Sequence, residues 1–233
     1  MIKAVFLDWF NTLARFDPPR AEIHNRALRE SDVETSLDEV KRGLLMADQY
    51  WFDENIKSKV SERSPEEQAK LGLKYEEILL TEAGVDFTQE LLLKVAKRVR
   101  ELYKSVTFVL FDDVLSTLKE LKRQKYILGL LTNLNEDMNT ICRRLGLEPY
   151  LDFVVTSEEV GSDKPEPPIF LEALKRAGVD ASEAIHVGDQ YKIDVAGARG
   201  VGISPIFIDR YNSYPDVTDC PRIHSLSELP KYL

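Results

Sequence analysis

A nearly continuous apolar run at residues 2–7, stopped by a single aspartate at position 8, constrains this chain more than any other feature. A strand with one wet face alternates polar and apolar residues, whereas an unbroken run marks a strand covered on both faces, as in a parallel sheet. Short apolar runs return at residues 126–131, 153–156, 184–187 and 204–208, separated by amphipathic stretches at 114–125, 137–145, 168–177 and 194–200. That βαβα order predicts an α/β fold built on a doubly wound, Rossmann-like parallel sheet.

Residues 17–106 have a different character. They are charged and helix-forming, with apolar residues at helical spacing in 37–52, 71–83 and 91–103. Ser64-Pro65-Glu66-Glu67 spells a helix start with proline in its first turn, and Gly84 marks a helix end. The expected organisation is therefore a core formed by residues 1–16 and 107–233, interrupted by an inserted α-helical domain at 17–106. Residues 211–221, with two prolines and several turn formers, read as loop.

Composition narrows the possible partners. With 31 basic against 40 acidic residues, the formal charge of -9 repels nucleic acid and anionic lipid, so neither is an expected partner. A small anionic substrate remains open, because a few fixed cations and a metal reverse the potential inside a cleft. Two cysteines, Cys142 and Cys220, are too few for a disulfide scaffold and lack the spacing of a zinc site. The opening residues do not spell a signal peptide, and no apolar run approaches the roughly 20 residues that span a bilayer. A cytoplasmic protein is expected. No motif specifies an oligomeric state.

Polar residues recur where the apolar runs end. Asp8 follows the first, and Thr132-Asn133 closes the run at 127–131. Lys164 lies in a proline-rich loop, Asp163-Lys164-Pro165-Glu166-Pro167-Pro168, and Gly188-Asp189 follows the run at 184–187, with Asp194 five residues further on. Open α/β sheets bind ligands at the carboxyl ends of their strands, which is where these groups fall. A hydroxyl there can donate to an anionic oxygen, and two carboxylates can hold a hard cation. Each group alone also fits a helix cap or a solvated loop charge.

Taken in order, the motifs Asp8 to Thr12 (DxxxT), Thr132, Lys164-Pro165 and Gly188 to Asp194 (GDxxxxD) resemble the haloacid dehalogenase superfamily, and the resemblance covers essentially the whole chain. The helical insertion is similar to that family's helical cap of the first class. The resemblance implies a hydrolase in which Asp8 is the nucleophile and forms an aspartyl phosphate. Thr132, Asn133 and Lys164 would bind the phosphoryl oxygens. A magnesium ion would be held by Asp8, the backbone carbonyl of Phe10 and Asp189, with Asp194 in support. A small phosphorylated metabolite is the implied substrate.

One departure bears on the chemistry. The family's phosphatases usually carry a second aspartate two residues after the nucleophile, as general acid and base, and here that residue is Phe10. General acid–base assistance contributes about 10² to 10⁴ in rate, so turnover of poor leaving groups should be slow. An aromatic residue at this position is similar to the dehalogenases proper, which expel halide without a proton and without a metal. A 2-haloacid dehalogenase is thus the alternative, and a non-catalytic metabolite-binding protein a second one. Asn11 replaces the usual glycine, which its tolerance of left-handed backbone allows. His24, His186 and His224 are too scattered for a metal cluster, and His186 reads as a core residue. Trp9, Tyr191 and Cys142 read as packing.

Overall fold

The computed structural model describes residues 1–233, apart from the side chain of residue 61. The chain divides into two compact units, one of residues 1–15 and 109–233 and the other of residues 16–108.

The first unit begins with β1 (Ala4–Leu7), whose four residues are all buried. The chain leaves through β2 (Ala14–Asp17). The second unit then forms α1 (Arg20–Arg29), α2 (Leu37–Lys57), α3 (Pro65–Glu82) and α4 (Gln89–Tyr103) before β3 (Thr107–Leu110) brings the chain back. The remainder alternates through α5 (Val114–Arg123), β4 (Ile127–Thr132), α6 (Met138–Arg144), β5 (Phe153–Thr156), α7 (Ser157–Val160) and α8 (Pro167–Ala177). It continues with β6 (Ala184–Gly188), α9 (Ala196–Gly200), β7 (Ser204–Ile208) and β8 (Arg222–Ile223), and a 3-10 helix, Leu226–Tyr232, follows.

Six strands make one sheet in the order β5-β4-β1-β6-β7-β8, and every pairing in it is parallel. The expected α/β fold with a mostly parallel sheet and flanking helices is the one observed. β1 lies at its centre, with Ala4 beside both Ile127 of β4 and Ala184 of β6. Parallel neighbours on both sides and helices over both faces leave no wet face, hence the unbroken apolar run. One layer of the core gathers Phe6, Leu131, Val155, Ile169, Phe170 and Ile203.

β2 and β3, absent from the sequence reading, pair as a separate two-stranded sheet. They escape detection because four residues with a single buried position carry almost no period. The short β8 escaped for the same reason. Residues 211–221 form no helix or strand, as their turn formers suggested.

The helical unit has its own core, with Ile23, Leu28, Val40, Leu44, Leu79, Leu80, Val95 and Val99 contributed by all four helices. Its helix starts are locally encoded. Ser36 and Glu39 form a reciprocal capping box on α2, and Ser64 and Glu67 form another on α3, satisfying backbone donors that the first turn leaves without partners. α3 stops before Gly84, whose φ of 74° is the left-handed conformation in which glycine is free of the Cβ penalty. Arg20, Asp48 and Tyr75 form a polar cluster among these helices. The guanidinium donates to both Asp48 oxygens, at 2.8 and 2.6 Å, and the Tyr75 hydroxyl donates to Asp48 Oδ1 at 2.8 Å. No described helix is long and apolar enough to cross a membrane.

Candidate active site

The carboxyl ends of β1, β4 and β6 lie side by side, and this adjacency assembles the site. The ladder continues one residue past β1, where the Asp8 N–H donates to the Val187 carbonyl at 2.9 Å. Asp8 is thereby set next to Gly188-Asp189. The chain then turns tightly, with the Leu13 and Ala14 amides both donating to the Trp9 carbonyl, at 2.9 and 3.0 Å. Asn11 takes a φ of 58° within this turn, the left-handed conformation its side chain tolerates. The turn returns Thr12 to Asp8, and the Thr12 hydroxyl donates to Asp8 Oδ2 at 3.2 Å.

Lys164 is 2% exposed at its side chain, and its ammonium donates to Asp8 Oδ1 at 2.5 Å and to Asp194 Oδ1 at 2.7 Å. Two anions against one buried ammonium raise the Lys164 pKa: burial opposes its charge, but Asp194 and Asp8 outweigh burial. Asn133 holds the loop. Its carboxamide oxygen accepts from the Lys164 N–H at 2.8 Å, and its amide donates to the Lys164 carbonyl at 2.9 Å. Asn133 thereby commits its oxygen and one N–H to fixing Lys164, with its second N–H left over. Thr132 is 3% exposed. Its hydroxyl oxygen accepts from the Leu134 N–H at 3.0 Å, which leaves the hydroxyl proton to be donated elsewhere.

The GDxxxxD segment runs from the end of β6 into one π-helical turn, Tyr191–Val195, a widened turn frequent at functional sites. Asp194, in that turn, folds back over Gly188 so closely that a Cβ there would overlap its carboxylate, so only glycine fits. Its oxygens are all engaged. Oδ1 meets Lys164 and, at 3.0 Å, His186 Nε2, and Oδ2 accepts from the Gln190 N–H at 3.0 Å. Burial alone would raise the Asp194 pKa, but Lys164 and His186 outweigh it and hold the carboxyl below the usual range.

Asp189 is the opposite case. Its Oδ1 is buried and has no hydrogen-bond partner among the described residues. Burial, then the charges of Asp8 and Asp194, push its pKa well above the ordinary carboxylate value, against a hydrogen bond from Asn11 and the pull of Lys164. Asp8 is likewise raised, by burial first, with Lys164 opposing. Carboxylate oxygens of Asp8, Asp189 and Asp194 come within 4.8 Å of one another. Two buried carboxylates and a half-buried third, facing a single ammonium, leave an excess of negative charge, and an orphaned buried oxygen is costly unless a cation meets it. The donor set is all oxygen and suits a hard divalent ion such as magnesium.

Asp8, Thr132, Lys164, Asp189 and Asp194 thus occupy one end of the sheet. The sequence reading missed the part played by His186, fully buried within β6, which bonds Asp194 from beneath. Its i, i+2 relation to Gly188 puts both on one face of the strand, and that relation was available from the sequence.

A model of the haloacid dehalogenase-like hydrolases matches residues 2–202, and the chain belongs to that family of hydrolases. "Haloacid dehalogenase-like hydrolase domain-containing protein 3" of Danio rerio is 38% identical over 126 residues, 53% of this chain and 52% of that protein. The chain therefore spans about half the length of such relatives. A "Glyceraldehyde 3-phosphate phosphatase" of Methanopyrus kandleri is 29% identical over 221 residues, covering 93% of this chain and 88% of its own length. Among solved structures, a 2-haloacid dehalogenase from Pseudomonas syringae is 32% identical with a TM-score of 0.56, covering 99% of this chain and 97% of that one.

Proposed function

We propose that this hydrolase is a magnesium-dependent phosphatase of small phosphorylated metabolites, with Asp8 as its nucleophile. The observation that carries this reading is Asp189, a carboxylate beside Asp8 whose buried oxygen has no protein donor to meet it. A metal-free dehalogenation has no use for it. The phosphatase name borne by the Methanopyrus kandleri relative points the same way.

Magnesium bound by Asp8, the Phe10 carbonyl and Asp189 would neutralise the repulsion between nucleophile and phosphoryl group. Asp194 supports the site through Lys164, since its own oxygens are engaged. Lys164 and the Thr132 hydroxyl donate to the phosphoryl oxygens, aided by the remaining Asn133 N–H. Thr12 and Lys164 fix the Asp8 carboxylate for in-line attack. A carboxylate oxygen bonds to phosphorus as the ester oxygen departs with its electron pair, and water then cleaves the acyl phosphate. The departing oxygen needs a proton, and Phe10 has none to give, so leaving groups stable as anions react best.

Hydrolysis of p-nitrophenyl phosphate, with and without magnesium, tests the reading with Asp8→Asn as control. Phosphate release that requires magnesium and vanishes in Asp8→Asn is expected. A second reading, dehalogenation, draws on Phe10 and on the Pseudomonas syringae enzyme. Metal-independent halide release from L-2-chloropropionate would establish it and overturn the first. Tight binding of a phosphorylated ligand without either reaction would make the chain a binding protein.

A further inference from the structure

Outside the groups just assigned, one cation stands at another strand end. Arg210 follows β7 by two residues, and its side chain is 5% exposed. One terminal nitrogen donates to Asp113 Oδ2 at 2.6 Å, and the other donates to the Thr12 carbonyl at 2.6 Å. Its plane lies over the Phe111 ring, 4.2 Å from the centroid. Asp113 is itself immobilised, because the same Oδ2 accepts from Ser225 Oγ at 2.5 Å and from the Leu226 N–H at 2.7 Å. The guanidinium is therefore held on one side and grips the turn that follows Asp8 on the other.

The gripped residue is the one that orients the nucleophile. Thr12 is fully buried, and its hydroxyl donates to Asp8 Oδ2 at 3.2 Å. We infer that Arg210 is a positioning residue for Asp8, acting through the Thr12 carbonyl and hydroxyl; this rests on the reading of Asp8 as nucleophile. A planar guanidinium bridges an anion and a carbonyl in two fixed directions. A lysine ammonium, one nitrogen on a flexible stem, does not reproduce that planar fork.

Arg210→Lys keeps the positive charge against Asp113 and gives up the bridge, so the fold survives. With p-nitrophenyl phosphate, kcat is expected to fall about tenfold, since misplacement of a reacting group by a fraction of an ångström to 1 Å costs up to about 10²-fold. KM should stay within about twofold, because the phosphate-binding groups are untouched. Amide hydrogen exchange across residues 8–14 should quicken in the same variant. Lys122→Met, which removes the exposed Lys122–Asp152 ion pair in the same unit, serves as a control for general destabilisation and should change neither readout. Unchanged kcat and unchanged exchange in Arg210→Lys, or equal losses in Lys122→Met, would overturn the inference. If the wild type releases no phosphate, the phosphatase reading fails by itself, and exchange at residues 8–14 still decides the role of Arg210.

Discussion

The Lys164 ammonium lies 2.5 Å from Asp8 Oδ1, in a place where only 2% of the lysine side chain meets solvent. Removing one member of a buried ion pair leaves the other charge without compensation and costs about 3 to 5 kcal/mol. Lys164→Met, similar in length but neutral, is expected to lose about that much, read as a fall in Tm of roughly 10 °C. Phosphatase activity should disappear with it. A variant that stays as stable as the wild type would show that the pair does not anchor the site.

Phe10→Asp addresses the missing proton. Supplying an acid two residues after the nucleophile should raise kcat for alkyl phosphates by about tenfold or more, while p-nitrophenyl phosphate, which leaves as a stable anion, gains little. The ratio of the two rates is the quantity to measure. Equal gains would show that proton delivery does not limit turnover.

Gly188→Ala sets a methyl group against the Asp194 carboxylate. Overpacking of this kind costs about 1 to 3 kcal/mol. Because Asp194 holds Lys164, activity should fall further than stability alone accounts for. Thermal unfolding and kcat measured on one preparation separate the two effects.

The Arg210–Asp113 pair carries a pH dependence. Burial pushes the Asp113 carboxyl up, but hydrogen bonds from Arg210 and Ser225 outweigh it, so its pKa in the folded chain lies below the ordinary value. A depressed carboxyl pKa stabilises the fold above the unfolded value, about 3.9, and the contribution is lost as pH falls through the folded value. Asp113→Asn should therefore cost about 1 to 3 kcal/mol at pH 7, and the gap from wild type should shrink below about pH 4. Urea unfolding at several pH values reads this, and a gap constant with pH would contradict it.

What the sequence revealed depended on where polar residues interrupt apolar runs. Asp8, Thr132 and Gly188-Asp189 each end a strand, so their place at one edge of the sheet followed from recognising the strands. Lys164 was legible through the prolines around it. Asn133 was visible, but its partner was not: the Lys164 backbone lies 31 residues away, and only the fold says which polar group it meets. Arg210 and Asp113 are 97 residues apart, and only the fold brings them together. His186 was hidden by its own strand, where a single imidazole among apolar neighbours looks like packing.

The position of β1 has a consequence for how the chain is made. A ribosome delivers this strand before its partners, and Ile127 and Ala184 emerge only after the whole helical unit has been synthesised. Residues 16–108 can gather their own core in the interval. The centre of the sheet meanwhile waits as an unpaired apolar segment, and closing it demands long-range contacts. Assembly of the larger unit should thus be the slow event after translation, with Asp8 completed last.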